Sequence, residues 1–71
     1  MTTWTKSVLS SMVQEVGYDA DREALVITWK NGSQGEYSGV PEDVAFGLAQ
    51  SASVGQAIIN EIKPVYAYRK L

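Results

Sequence analysis

The sequence predicts an α+β fold in which a three-stranded antiparallel β-meander is followed by two short helices, in the order β-β-β-α-α. Three observations lead to this prediction. Residues 12–19 and 24–29 show the two-residue period of strands, an Asn-Gly pair follows the second of these runs, and apolar residues spaced four apart follow Pro41. The chain has 71 residues, of which 45% are hydrophobic. This length predicts one domain over residues 1–71, because a second domain could not bury its own core.

The first two predicted strands differ in the strength of their patterns. Residues 12–19 alternate only weakly, because Gln14 interrupts the apolar side. Residues 24–29 are rich in β-branched and aromatic side chains and form the clearest strand pattern in the chain. The apolar face of this second strand consists of Leu25, Ile27 and Trp29.

A tight turn leads to the third predicted strand. Asn31 and Gly32 favour a type I′ turn, because both residue types accept a positive φ. The chain is then expected to return over residues 34–38 with Tyr37 facing the core. Gly35 weakens this strand and marks a candidate bulge.

Two short helices are predicted after the strands. Pro41 suits the first turn of a helix, where its missing N–H leaves no hydrogen bond unmade. The apolar stripe of this helix does not include Phe46. Pro64 ends the second helix, whose stripe repeats every four residues. The stripe residues are Val44 and Leu48 in the first helix and Val54, Ile58 and Ile62 in the second.

The two ends of the chain carry weak patterns. Residues 1–8 have neither a helical nor a strand period, and we expect them to form a flexible lead-in. Residues 65–71 alternate only weakly and are compatible with an extended tail.

Composition argues against an enzyme, a metal site and a cofactor. The chain lacks both cysteine and histidine, which excludes disulfides, Cys/His zinc sites and the usual general base for a serine nucleophile. Asp19, Asp21 and Glu23 alternate as calcium ligands do. However, the loop lacks the turning glycine and the distal glutamate, and Arg22 lies among the acids. We therefore expect a solvated turn and no bound metal.

No stretch of the sequence predicts a membrane span or a signal peptide. The longest apolar runs are far shorter than the roughly 20 residues that cross a bilayer. We therefore expect a cytoplasmic protein with no membrane partner.

A small basic and aromatic cluster lies near the end of the chain. Lys63, Arg69 and Lys70 are three of the six basic residues, and Tyr66 and Tyr68 lie between them. Aromatic rings stack on unpaired bases and cations neutralise phosphates, so this composition suits a single-stranded nucleic acid. Composition alone favours a packed tyrosine pair with a solvated tail. Lys30 is a further candidate for such a surface.

The order of several short motifs carries a family resemblance. They are Ser10-Ser11, Val16-Gly17-Tyr18-Asp19, Asn31-Gly32, Glu36-Tyr37-Ser38-Gly39-Val40-Pro41, Ser53-x-Gly55 and Ile62-Lys63 followed by Tyr66. In this order the chain resembles the KTSC domain, a short module found at the C-terminus of lysyl-tRNA synthetases and as a small protein of bacteria and phages. The resemblance implies an RNA-binding module.

The chain departs from the family pattern at four places where the family carries stacking or basic groups. These are Gly35, Ala45, Val54 and residues 57–59. A second hypothesis is therefore a protein-interaction module, such as a phage-encoded adaptor or host-factor binder, that keeps the fold but has lost the nucleic-acid surface. Its candidate interface residues are Trp4, Phe46, Val54 and Ile59.

Overall fold

A computed structural model of the chain describes residues 3–8 and 10–71 and contains five antiparallel strands in one sheet. The order of the strands across the sheet is their order along the chain. The predicted three-stranded meander is therefore wrong, because a further strand pairs with each of its edges. The strands are β1 Trp4–Ser7, β2 Val13–Asp19, β3 Ala24–Trp29, β4 Gln34–Ser38 and β5 Ala67–Lys70.

The helical layer lies between β4 and β5 in the chain. Helix α1 spans Glu42–Ala49, and helix α2 spans Val54–Ala57. Helix α2 continues into a π-helical turn over Ile58–Ile62, which is closed by a 2.8 Å hydrogen bond from the N–H of Lys63 to the carbonyl of Ile58. The helices cover one face of the sheet, and their buried residues join the side chains of that face in a single core.

The expected lead-in and tail are strands at the two edges of the sheet. β1 pairs with β2, from Trp4 opposite Tyr18 to Ser7 opposite Glu15. Met1 and Thr2, which belong to the predicted lead-in, lie outside the described residues. β5 pairs with β4 in the same antiparallel way. All four residues of β5 and three of the four in β1 are exposed, so neither strand has a buried alternating face that the sequence could reveal.

The turn between β3 and β4 also differs from the prediction. Gly32 has a φ of 91°, whereas Asn31 is not among the described residues with positive φ. The N–H of Gly32 donates to the carbonyl of Trp29 at 3.0 Å, and the N–H of Trp29 donates to the carbonyl of Ser33 at 2.8 Å. This is the pattern of a type I turn followed by a left-handed glycine bulge, and not of a type I′ turn.

One row of large side chains crosses all five strands on the helix-covered face. Opposite one another in register lie Trp4, Tyr18, Leu25, Tyr37 and Tyr68. The three central members are buried, as predicted for Tyr37, and belong to the core. We call this row the aromatic row, because four of its five members are aromatic. Its outer members, Trp4 and Tyr68, lie on edge strands, so the row reaches solvent at both edges of the sheet.

A buried hydrogen bond fixes the point where the sheet leads into the helices. The hydroxyl of Tyr18 donates to the carbonyl of Val40 at 2.6 Å. Burial, followed by the nearby carboxylates of Glu23, Glu42, Asp43 and Asp19, raises the pKa of Tyr18. The hydroxyl therefore stays protonated and keeps its hydrogen bond.

Candidate functional site

The alternation of β5 divides the predicted basic and aromatic cluster between two faces. Tyr68 and Lys70 lie opposite Tyr37 and Gly35, on the helix-covered side of the sheet. Arg69 lies opposite Glu36 and therefore points to the other side. The sequence placed these residues in one cluster, and the sheet separates Arg69 from its neighbours.

A cleft lies beside β5 on the helix-covered side. Its volume is about 390 Å³, and we call it the β5 cleft. Tyr68 forms its outer wall, with 47% of the residue exposed and its ring centroid 4.9 Å from that of Tyr37. The cleft therefore combines an apolar and aromatic lining with one partly free ring. Its lining residues are Trp29, Tyr37, Ile58, Ile59, Lys63 and Tyr68.

Gly35 makes the position of Tyr68 possible. A Cβ atom at Gly35 would overlap the ring and hydroxyl of Tyr68, so the ring covers bare backbone. Such packing of an aromatic ring over a strand glycine stabilises the strand that the glycine weakens. Gly35 thus lets Tyr68 lie directly over the backbone of β4 and form a wall of the cleft.

Cations lie on the rim of the β5 cleft. Lys63 lines the cleft directly, at the end of the π-helical turn. Lys70 shares the face of Tyr68 and is exposed. Lys30 is exposed in the β3–β4 turn and borders a separate depression, which Trp29 also lines. An anionic chain lying over Tyr68 would therefore meet ammonium groups along the cleft.

Tyr66 plays a different part from Tyr68. It is half-buried and packs against the core, and its N–H donates to the carbonyl of Ile62 at 2.9 Å. Its position thus helps to end the π-helical turn and leaves less of the ring free to stack on a ligand.

Arg69 belongs to an ion cluster on the uncovered face of the sheet. Glu36 is only 2% exposed. Nη2 of Arg22 contacts the two carboxylate oxygens of Glu36 at 2.5 and 2.8 Å, and Nη2 of Arg69 lies 3.5 Å from Oε2. The cluster joins the β2–β3 turn, β4 and β5, so Arg69 is already engaged by a carboxylate.

The residues of the alternative protein interface do not form one surface. Val54 is 1% exposed and lies in the core, so it cannot contact a partner. Ile59 is exposed and lines the β5 cleft. Trp4 and Phe46 contact each other at the opposite edge of the sheet. The hypothesis thus joined a core residue with two separate surfaces.

Ser10, the first of the motif serines, holds the loop that leads into β2. The Oγ atom of Ser10 accepts hydrogen bonds from the N–H groups of Met12 and Val13, at 3.2 and 3.3 Å. A Cβ atom at Gly55 would clash with Cε of Met12, so the glycine lets this loop pack closely against α2. These contacts give Ser10 and Gly55 a structural role.

Residues 3–8 and 10–71 contain no helix with the length and apolar character that crossing a bilayer requires. Over the same residues, no group of three acidic side chains comes together in a way that could hold a metal ion.

Two comparisons identify similar proteins. The family model of the KTSC domain matches residues 9–66. The crystal structure of a KTSC domain protein from Yersinia pestis is 29% identical in sequence, covers 96% of each chain and superposes with a TM-score of 0.87. A search of the curated proteins gave no match.

Proposed function

The chain belongs to the KTSC domain family, and from this premise we propose that it is a small non-catalytic module that binds single-stranded nucleic acid, RNA in particular, in the β5 cleft. One observation carries the proposal: the half-exposed ring of Tyr68 lies over an apolar cleft, with Lys63 and Lys70 on the same side. Such a function would place the protein in the cytoplasm of a bacterium or of a phage-infected host.

The size of the cleft favours an unpaired base as the ligand. A volume of about 390 Å³ is near the lower end of the range for small-molecule pockets, roughly 300–1,000 Å³. A single base can enter such a cleft only if it is free of a partner strand. Stacking of one base on an aromatic side chain contributes about 1–3 kcal/mol and depends little on the identity of the base.

The charges favour a short contact with the phosphate backbone. Lys63 and Lys70 flank Tyr68, whereas Arg69 points to the other face and is paired with Glu36. Two phosphate contacts to a single strand predict a slope of log K against log salt of about −1.4, at about −0.7 for each contact. We therefore expect weak binding that salt reduces only moderately.

The first test is a titration with a mixed-sequence single-stranded RNA at low salt, followed by amide and indole NMR signals. We expect the indole N–H of Trp29 and the amides of β5 to shift, and a duplex of the same sequence to cause smaller shifts. Tyr68→Leu keeps apolar volume but removes the aromatic face, and should weaken binding about tenfold.

Lys6 provides a matched control for Lys70. The two lysines lie at opposite ends of one row of the sheet, Lys6, Val16, Ile27, Gly35 and Lys70. Lys70→Gln should make the salt slope shallower by about 0.7, and Lys6→Gln should leave it unchanged. Equal effects of the two variants, or no shifts at low salt, would refute the proposal.

A further inference from the structure

A second exposed aromatic surface lies at the opposite end of the aromatic row. The ring of Trp4 stacks on Tyr18 with centroids 5.9 Å apart and meets the edge of Phe46 at 6.1 Å. Its indole N–H donates to Oε2 of Glu42 at 3.2 Å. Glu42 and Phe46 are four residues apart in α1, so Trp4 lies along one side of this helix.

Phe46 extends this surface into solvent. It is 51% exposed, although its neighbours in α1, Ala45 and Leu48, are buried in the core. The contact with Trp4 holds the ring in place without covering it. A large exposed ring supported by a second aromatic residue is typical of the anchors in protein interfaces.

The carboxylate of Glu42 contacts Trp4, and other acidic residues lie at the same end of the sheet. Five of the eight acidic residues lie at the end of β2, in the β2–β3 turn or at the start of α1. Four of them, Asp19, Glu23, Glu42 and Asp43, add to burial in raising the pKa of Tyr18, the stacking partner of Trp4. Arg22, the cation of the turn, is paired with Glu36 on the other face. The five residues are Asp19, Asp21, Glu23, Glu42 and Asp43.

We propose that Trp4, Glu42, Asp43 and Phe46, the acidic aromatic patch, bind a basic segment of a partner protein. An arginine of this segment stacks on Phe46 and pairs with the carboxylates of α1, and an adjacent apolar side chain packs against Trp4. Arginine is the side chain that combines a planar cation with affinity for aromatic faces. The same carboxylates repel phosphates, so the patch selects a protein segment over a nucleic acid.

The two tryptophans allow the patch and the β5 cleft to be tested separately. Trp4 belongs to the patch and Trp29 lines the cleft, so each indole N–H signal reports on one site. The probe is a short synthetic peptide in which arginine alternates with leucine, and glutamate replaces arginine in the control peptide. We expect the arginine peptide to shift the Trp4 signal and the glutamate peptide to leave it unchanged.

Three variants assign the contact. Phe46→Ser and Glu42→Gln should each weaken peptide binding about threefold or more, the effect of losing one exposed cation–π or charge contact. Glutamine retains an oxygen for the hydrogen bond from Trp4, so this variant removes the charge alone. Ile59→Ser is the matched control, because Ile59 is 47% exposed but lines the other surface.

Several outcomes would overturn the proposal. They are a stationary Trp4 signal, an equal response to the glutamate peptide, or an equal loss of affinity in Ile59→Ser. A shift of Trp4 caused by RNA would instead assign the patch to nucleic acid. Because the proposal does not depend on the function of the β5 cleft, failure of the RNA titration at Trp29 leaves it unaffected.

Discussion

The candidate site depends on the absence of a side chain at Gly35, where the ring of Tyr68 packs. Because Gly35 has no side chain, the ring of Tyr68 lies directly on the backbone of β4 and against Tyr37. The sequence alone suggested that Gly35 was a weakness in its strand. What it could not reveal is that a residue from the far end of the chain covers the gap, because the pairing of β5 with β4 leaves no local pattern.

Gly35→Ala should destabilise the protein, because the new Cβ forces the ring of Tyr68 out of its place. Overpacking of this kind costs about 1–3 kcal/mol in the free energy of unfolding. In the background of Tyr68→Ala the same substitution should be nearly neutral. Urea unfolding of the four proteins in this double-mutant cycle measures the difference, and additive effects would contradict the contact.

The raised pKa of Tyr18 predicts that the protein loses stability in alkaline solution. Its pKa is raised in the folded state, chiefly by burial, so the folded protein retains this proton above the ordinary tyrosine pKa near 10. The stabilisation is complete below pH of about 10 and is lost as the pH rises further, because the unfolded chain then binds fewer protons.

Tyr18→Phe should therefore flatten part of this decline above pH of about 10, measured by urea unfolding at several pH values. At neutral pH the variant should lose about 1–2 kcal/mol, because the carbonyl of Val40 loses its buried donor. Tyr37, whose pKa is also raised by burial and then by Tyr68, accounts for part of the remaining slope. An unchanged slope in Tyr18→Phe would show that other groups are responsible.

At the scale of the elements, the strands that could be predicted from the sequence are those with buried residues. Strands β2 and β3 have one face in the core and show a two-residue period, whereas β4 was predicted from the Asn-Gly turn before it and from Tyr37. The edge strands have mostly exposed residues and were missed. The apolar stripe of the second helical segment was visible in the sequence, but its π-helical end was not, because a repeat of four does not distinguish an α-turn from one wider turn.

The candidate site was predictable only as a list of residues. Lys63, Tyr68 and Lys70 could be chosen from composition, and they share one side of the molecule. Their separation from Arg69 depends on the strand register of β5, which was not predicted. Trp29 and Ile59, which complete the cleft, come from β3 and the π-helical turn, and no sequence spacing relates them to β5.

The two arginines that pair with Glu36 should contribute unequally to the stability of the protein. Arg22→Met should lower the free energy of unfolding by about 1–2 kcal/mol, because it leaves the buried carboxylate of Glu36 with one distant cation. The exposure of Arg22 keeps the effect below that of a fully buried pair. Arg69→Met should cost less, since its contact is longer. Urea unfolding of both variants checks this order, and a larger loss in Arg69→Met would reverse the assignment.

For the whole molecule, the net charge of −2 does not show that acidic and basic side chains gather in different places. The carboxylates gather where β2 turns into β3 and where α1 begins. Lys63 and Lys70 lie beside the β5 cleft, at the other side of the sheet. The corner formed by the β2–β3 turn and the start of α1 thus repels an approaching polyanion, whereas Lys63 and Lys70 attract it, which orients its encounter with the protein. The average charge therefore gives a poor guide to the partners of either surface.

The order of the strands along the chain also determines which strand pair closes the longest loop. β1 to β4 pair with their neighbours in the chain across short connections, whereas β5 reaches β4 only after residues 39–66 have folded over the sheet. Closing this longer loop costs more conformational entropy, so we expect β5 to be the strand that opens most easily. The β5 cleft has Tyr68 as a wall, so it exists only while β5 is paired with β4. A ligand bound there would therefore favour the molecules in which β5 is paired with β4.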